Sequence, residues 1–301
     1  MNQASYEYNK EQLQYLGFGT EISGELQKRM EQNLTEFTIP FNKKFGNDEV
    51  QVLLHFSKGD DLQKDLTFFN RFEVNLKKEG MEDLSQTFFV GQRYNYTLQE
   101  RYNMMDGRAV YREQPVMEKA EVEGKQKMVP TGETYTAWRA LNFKEADPHG
   151  NFLPKMIRWH DQAKELEKYP IVGAEENYMK ARLVAQLEKG NRVDVTVLKD
   201  GEEVKAKMVA NAAMLRIDFH DENGQKLDIK KVNRQSFEQS QKSELSPQEV
   251  QRAAIAKAAE AKQQNGVSQS ATSSPKEDAA QKAGAEQNQQ QIERRRQTVR
   301  V

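Results

Sequence analysis

The residues best suited to binding chemistry are aromatic and basic side chains in the second half of the chain. The set consists of Trp138, Arg139, Arg158, Trp159, Arg182 and Arg192. Bases stack on aromatic rings and phosphates pair with guanidinium groups, so such a set predicts a surface for single-stranded nucleic acid. The alternative interpretation is that both tryptophans pack in the core and the arginines form a solvated rim. The formal net charge of −1 favours that alternative, because proteins that coat nucleic acid through bulk charge are strongly basic.

Two histidine–aspartate pairs are the candidates for a metal site. Asp147 with His149, and His160 with Asp161, would form a metal-dependent hydrolase site if the two pairs converged in space. Their spacing matches no H-E-x-x-H motif, and the run Asp147-Pro-His-Gly is typical of a turn. We therefore expect no metal and no cofactor.

Other catalytic motifs are missing from the sequence. The chain has no cysteine, which excludes disulfides, thiolate catalysis and cysteine-ligated zinc. It also has no G-x-S-x-G elbow and no phosphate-binding G-x-x-x-x-G-K-[ST] loop. We expect a protein without catalytic activity.

Hydrophobic periodicity predicts an α+β fold with an internal duplication. In the first half, a helix over 22–34 precedes strands at 37–41, 49–56 and 66–76. In the second half, a helix over 175–189 precedes strands at 192–198, 204–209 and 214–219. Asp200-Gly201 is a typical hairpin turn between the first two of those strands. The pattern predicts two similar α-β-β-β units.

Composition divides the chain into four segments. Residues 1–113 form a first α+β unit with a connector that contains a helix beginning at Thr97, and residues 135–235 form a second unit. Residues 114–134, with two prolines and two glycines, predict an exposed loop or boundary between them. Residues 236–301 are low in complexity and contain one aromatic residue, so we expect a disordered tail with one helix at 246–264.

The sequence shows no secretory signal and no membrane-spanning segment, which predicts a cytoplasmic protein. The first ten residues lack the apolar region of a secretory signal. No apolar run approaches the ~20 residues of a membrane-spanning helix, so we expect no membrane partner.

Several short blocks resemble a domain-of-unknown-function family that is carried on conjugative and other mobile elements of Bacteroidetes. The blocks include Tyr135-Thr-Ala-Trp138, Leu141-Asn-Phe143, Asp147-x-His-Gly-Asn151, Leu166-x-x-Tyr-Pro-Ile171, Leu187-Glu-Lys-Gly-Asn-Arg192, Lys199-Asp-Gly201 and Ala210-Asn211, and upstream Leu16-Gly-Phe-Gly19 and Gly107-Arg-Ala-Val110. The resemblance covers about residues 12–231. Related domains lie beside DNA-processing modules such as topoisomerases, which implies a DNA-related accessory role and assigns no residue.

These observations together predict a non-catalytic accessory protein of a mobile genetic element that binds a protein or nucleic-acid partner. A single-stranded nucleic-acid-binding protein and a metal-dependent hydrolase are the two alternatives.

Overall fold

Helices and antiparallel strands alternate in blocks along the chain, which confirms the predicted α+β class. The computed structural model describes residues 1–59, 65–91, 95–122, 124–157, 161–174 and 176–232. The predicted tail, residues 236–301 with its helix at 246–264, lies outside these residues. Within them, no helix combines the length and the apolar character needed to cross a membrane.

The first sheet follows two helices and buries one of its faces. Helices α1 (Gln3–Tyr15) and α2 (Ser23–Glu31) precede strands β1 (Glu36–Phe45), β2 (Asp48–Lys58), β3 (Thr67–Lys77) and β4 (Leu84–Phe89), which pair in sequence order. Successive side chains alternate between the faces of a strand, so β2 directs Val50, Val52 and Leu54 inward. Phenylalanines fill this first core, with the rings of Phe18 and Phe72 edge-to-face at 5.3 Å.

The second four-stranded sheet lies near the end of the described chain. Helices α4 (Gln162–Leu166) and α5 (Asn177–Glu188) precede β8 (Val193–Lys199), β9 (Glu202–Asn211), β10 (Arg216–His220) and β11 (Lys226–Leu227), again paired in sequence order. Asp200 and Gly201 join β8 to β9 with φ values of 53° and 91°, as a two-residue hairpin of type I′ requires. The second core contains Leu187, Val197, Met208 and Phe219.

A helix and a three-stranded sheet connect these two parts. Helix α3 (Leu98–Met105) begins with the predicted capping box, in which Thr97 and Glu100 each accept a backbone hydrogen bond. Strands β5 (Val110–Val122), β6 (Lys125–Ala146) and β7 (Phe152–Ile157) follow, with β6 in the middle of the sheet. Residues 137–142 of β6 are buried or half-buried, whereas nearly all residues before them and the last four residues of the strand are exposed.

The buried half of β6 contributes to both cores. Trp138 and Ala140 belong to the second core, whereas Leu141 belongs to the first. Alternation along the strand explains this division, because neighbouring side chains point to opposite faces. The two cores therefore share one strand.

Backbone carbonyl groups at the end of α5 accept hydrogen bonds from side chains of α3 and of the segment that follows α3. Asn103 Nδ2 donates to Lys189 O at 2.6 Å, and Arg108 Nη1 donates to Gly190 O at 2.6 Å. Asp106, with its side chain 3% exposed, pairs with Arg108 at 2.8 Å and also with Lys78. These contacts join the first and second halves at a second place.

The prediction of an exposed loop over residues 114–134 is wrong in its secondary structure. Apart from Glu123, which lies outside the described residues, this segment forms most of the hairpin between β5 and β6. Its prolines stay compatible with the strands because Pro115 lies at a register shift and Pro130 lies opposite Met117, next to that shift. Gly124, with φ of 74°, supplies the turn.

Two smaller boundaries also differ from prediction. The helix predicted over 22–34 begins at Ser23 and ends at Glu31. The helix predicted over 175–189 spans Asn177–Glu188. It is preceded by the short helix α4, which Asp161 caps by accepting a hydrogen bond from Lys164 N.

Candidate nucleic-acid interface

The predicted contact residues do not share one face in the described part of the chain. Trp138 is 1% exposed and packs in the second core with its ring centroid 5.4 Å from that of Tyr111. No base can stack on a ring that is buried in this way. Arg139, the next residue, points to the opposite face of β6.

The remaining predicted residues lie elsewhere. Arg182 is exposed on α5. Arg192 Nη2 lies 3.0 Å from Asp106 Oδ2, so this guanidinium already has a carboxylate partner. Arg158 and Trp159 lie outside the described residues.

Arg139 belongs to a group of side chains that we call the arginine–tyrosine cluster. Its members are Arg101, Arg112, Arg139, Tyr15, Tyr96 and Tyr135. The end of α1, the start of α3 and the bases of β5 and β6 supply them. They come together because Arg112 faces Ala137 across the β5–β6 pair, and residues opposite each other share a face.

Arg101 is held between two aromatic rings. Its Cζ lies 4.4 Å from the ring centroid of Phe88 and 4.5 Å from that of Tyr96. Stacking on both sides is favourable because each ring presents a negative face to the cation. Burial lowers the pKa of Arg101 to about 10, and the guanidinium therefore stays charged at neutral pH.

Arg112 is oriented by three hydrogen bonds. Nη1 donates to Asn95 O at 2.7 Å and to Glu100 Oε2 at 2.9 Å, and Nη2 donates to Tyr15 OH at 3.1 Å. Glu100 is itself fixed by the capping box of α3. The local helix start thus positions an arginine on a neighbouring strand.

Arg139 and Tyr135 form the outer part of the cluster. Arg139 Nη2 donates to Tyr135 OH at 2.8 Å. Ala137 lies between them on the same face of β6, and its small side chain leaves room for this contact. The ring of Tyr135 is 37% exposed and that of Tyr15 is 57% exposed, so solvent reaches both.

The cluster carries excess positive charge. Among the described residues, Glu100 pairs with Arg112, while neither Arg101 nor Arg139 has a carboxylate at ion-pair distance. Burial raises the pKa of Tyr96, and the charges of Arg101, Arg139 and Arg112 each oppose that effect. All three guanidinium groups therefore act on the same ring.

Such an arrangement can bind an anionic group beside a flat ring. Guanidinium groups bind phosphate and carboxylate oxygens through paired N–H donors. Within the described residues, the buried Nε atoms of Arg101 and Arg139 have no hydrogen-bond partner. The exposed rings of Tyr15 and Tyr135 flank the charge and offer surfaces for stacking.

The predicted metal residues have structural roles where the structure describes them. Asp147 accepts hydrogen bonds from the backbone of His149 and Asn151, and its bonds to Asn151 hold its pKa below the ordinary value. Asp161 caps α4. In the described ranges, no three His, Asp or Glu side chains group closely enough to hold a metal ion. His160 lies outside those ranges.

His149 instead lines an open polar hollow on the outer face of the first sheet. Asn151 Oδ1 accepts from Thr87 N at 2.7 Å, which fixes the turn against β4. The hollow has a volume of about 760 Å³. Amide and hydroxyl side chains such as Asn42 and Ser85 line it.

Comparison of the chain with protein-family models, with curated proteins and with solved structures finds no match. The resemblance to the mobile-element family stays a prediction from the sequence.

Proposed function

We propose that this protein is a non-catalytic binding protein and that its arginine–tyrosine cluster contacts single-stranded nucleic acid. The observation that carries the proposal is the composition of the cluster: in the described part of the chain, three arginines meet one carboxylate beside two solvent-exposed tyrosine rings. Phosphate groups would pair with the guanidinium groups, and unpaired bases would stack on Tyr15 and Tyr135.

The form of the cluster favours a single strand over a duplex. Bases in a duplex are stacked on one another and offer no free face to a tyrosine ring, whereas unpaired bases do. The chain has a formal net charge of −1, whereas proteins that bind duplexes through bulk charge are strongly basic. Because the arginine–tyrosine cluster is small, we expect it to contact a strand of only a few nucleotides.

The biological setting follows from the sequence resemblance. An accessory role for a mobile genetic element, in the cytoplasm, is consistent with a protein that binds exposed single strands during DNA processing. Detection of the protein in the same complex as processed single-stranded DNA would support this setting. Exclusive recovery with membranes or in secreted fractions would contradict it.

The two four-stranded sheets support the further proposal of an internal duplication. Each follows two helices, each pairs its strands in sequence order, and each begins with a two-residue hairpin. Superposition of residues 23–89 on residues 162–227 tests the idea. Helices packed on opposite faces of the two sheets would count against it.

The test of binding is fluorescence anisotropy of labelled oligonucleotides with the full chain, at ~50 and ~200 mM salt. We expect single strands to bind more tightly than duplexes. Arg139→Gln should weaken single-strand binding about ten-fold and reduce the salt slope by about 0.7, the share of one phosphate contact. Tyr135→Leu should weaken binding without changing the slope, and Tyr135→Phe should restore it, because stacking needs the ring and not the hydroxyl.

Arg29→Gln is the matched control, since Arg29 is a partly exposed arginine on α2 that pairs with Glu25 at 2.7 Å. It should leave affinity unchanged. Equal effects of Arg29→Gln and Arg139→Gln, or absence of single-strand binding by the wild type, would overturn the proposal. An acidic protein surface would then be the next partner to test.

A further inference from the structure

The outer part of the β5–β6 hairpin extends away from both cores. We call it the distal ribbon, and it comprises residues 116–122 of β5 and 125–134 of β6. Its register runs from Met117 opposite Pro130 to Val122 opposite Lys125. At about 3.3 Å per residue, the strand portion is roughly 20 Å long.

Most described residues of the distal ribbon are exposed, and the exceptions, which are half-buried, are Val116, Ala120, Val122 and Val129. Met117 and Met128 are 43% and 54% exposed, and no residue in the ribbon belongs to either core. A two-stranded ribbon alone in water is marginally stable. An extension of this length therefore suggests that another strand covers it.

The outer edge of β5 is open. In its sheet β5 pairs with β6 alone, so alternate backbone N–H and C=O groups of residues 116–122 point outward without a strand partner in the described chain. Such an edge pairs readily with a further strand. Charged residues on the edge determine which strand fits.

We propose that the distal ribbon is a dimerisation surface, on which β5 pairs antiparallel with β5 of a second copy about a two-fold axis at Ala120. In an antiparallel pair, two residues opposite each other direct their N–H and C=O groups either both toward the facing strand or both away from it. Because this direction alternates along a strand, two positions of β5 that face each other across the two-fold axis must differ by an even number in the sequence. A two-fold axis between identical strands must therefore pass through a residue rather than between residues.

Within the distal ribbon, an axis at Ala120 is the one that places residues of opposite charge directly opposite each other. An axis at Glu118, Lys119 or Glu121 would place two like charges directly opposite each other, which is destabilising. An axis at Ala120 places Lys119 opposite the partner's Glu121, and symmetry repeats this pair. It also places Glu118 opposite the partner's Val122, which is uncharged, so this pair is neither attractive nor repulsive.

The pairing is compatible with the rest of the molecule. Within each copy, Lys119 lies opposite Met128 and Glu121 lies opposite Gln126, so neither side chain faces a charge in its own hairpin. The base of the hairpin, with Arg112 and Arg139, stays uncovered. The inference is therefore independent of the proposed nucleic-acid function.

The test is the molar mass of the full chain by light scattering or sedimentation equilibrium, over about 1–100 μM. We expect a concentration-dependent dimer. Lys119→Glu and Glu121→Lys should each weaken dimerisation about ten-fold or more, since each replaces two attractive pairs by two repulsive ones. An equimolar mixture of these two variants should dimerise, because every opposing pair is then attractive again.

Two further variants complete the design. The double variant Lys119→Glu/Glu121→Lys should restore the homodimer. Glu118→Lys changes charge by the same amount on the same strand and should have little effect, because it faces the partner's Val122. A wild type that stays monomeric at the highest concentration, or a dimer that the single reversals leave unchanged, overturns the proposal. Failure of the mixture to dimerise would exclude this register.

Discussion

Gly190 occupies a position that no other residue suits. Its φ is 73°, and a Cβ at this place would lie 2.7 Å from Ala109 O and 3.2 Å from Asn103 Cβ. Asn103 lies in the last turn of α3, and Ala109 lies between α3 and β5, next to Arg108, which donates to Gly190 O. Close approach of two backbones explains the need for glycine.

We predict that Gly190→Ala lowers the free energy of unfolding by about 2–4 kcal/mol, because it combines an unfavourable backbone conformation with a steric clash against a backbone oxygen. Gly80→Ala is the matched control, since Gly80 has a φ of 72° and nothing within 4 Å of its added Cβ. Its cost should be about 1 kcal/mol. Urea denaturation of both variants measures the difference, and equal costs would show that the contact with Ala109 does not matter.

Single residues also show what the sequence could and could not reveal about the site. Arg139 was among the predicted contacts, but Arg101 and Arg112 were not, because their grouping depends on the packing of α3 against β5 and β6. The available signal was the alternation of Tyr135, Ala137 and Arg139 along a strand. The same alternation separates Trp138 from Arg139, although the two are adjacent in sequence.

At the scale of elements, the carboxylate of Glu165 connects helix α4 to the last described residues through an ion pair with Lys231. Glu165, with its side chain 5% exposed, accepts from Lys231 Nζ at 2.8 Å and also from Lys168. Burial alone would raise the pKa of Glu165, but the hydrogen bonds from Lys168 and Lys231 outweigh it and hold the pKa below 4.5.

We predict that Glu165→Gln costs about 1 kcal/mol of stability at pH 7. The wild-type contribution is complete above pH 4.5 and is lost as the pH falls through the lower pKa of the folded state. The variant should therefore differ from the wild type in denaturant unfolding at pH 7 and approach it in strongly acidic buffer. Glu82→Gln, at an exposed position, is the control, and a pH-independent difference for Glu165→Gln would contradict the prediction.

Elements with strong local signals were predictable and those without were not. The capping box at Thr97 and the Asp200-Gly201 hairpin are local, and the structure confirms both. The β5–β6 hairpin was not predicted because its outer half buries no face, so its sequence has no need to alternate apolar with polar residues. Strand β7 was also missed, since four of its six residues are exposed.

At the scale of the whole molecule, the shared strand β6 couples the two cores. Leu141 packs in the first core while Trp138 packs in the second. Both cores must therefore lose the same strand when either one unfolds. The contacts of Asn103 and Arg108 with residues 189–190 add to this coupling.

We predict that residues 1–232 unfold in a single transition, with coincident curves for tryptophan fluorescence and far-UV circular dichroism in urea. Leu141→Ala should cost about 2–5 kcal/mol. It should shift both curves equally, although Trp138 lies on the other side of the strand. A fluorescence curve that stays in place while the dichroism curve moves would mean that the cores unfold separately.

Strand β6 also constrains how the gene can change in length. Loss or gain of one codon near Ala137 would turn Trp138 toward the first core and Leu141 toward the second, and so exchange the contents of both. Changes in the distal ribbon carry no such penalty, because no core depends on the side to which its residues point. Insertions and deletions should therefore accumulate in homologous chains at the tip of the hairpin and be excluded from its base.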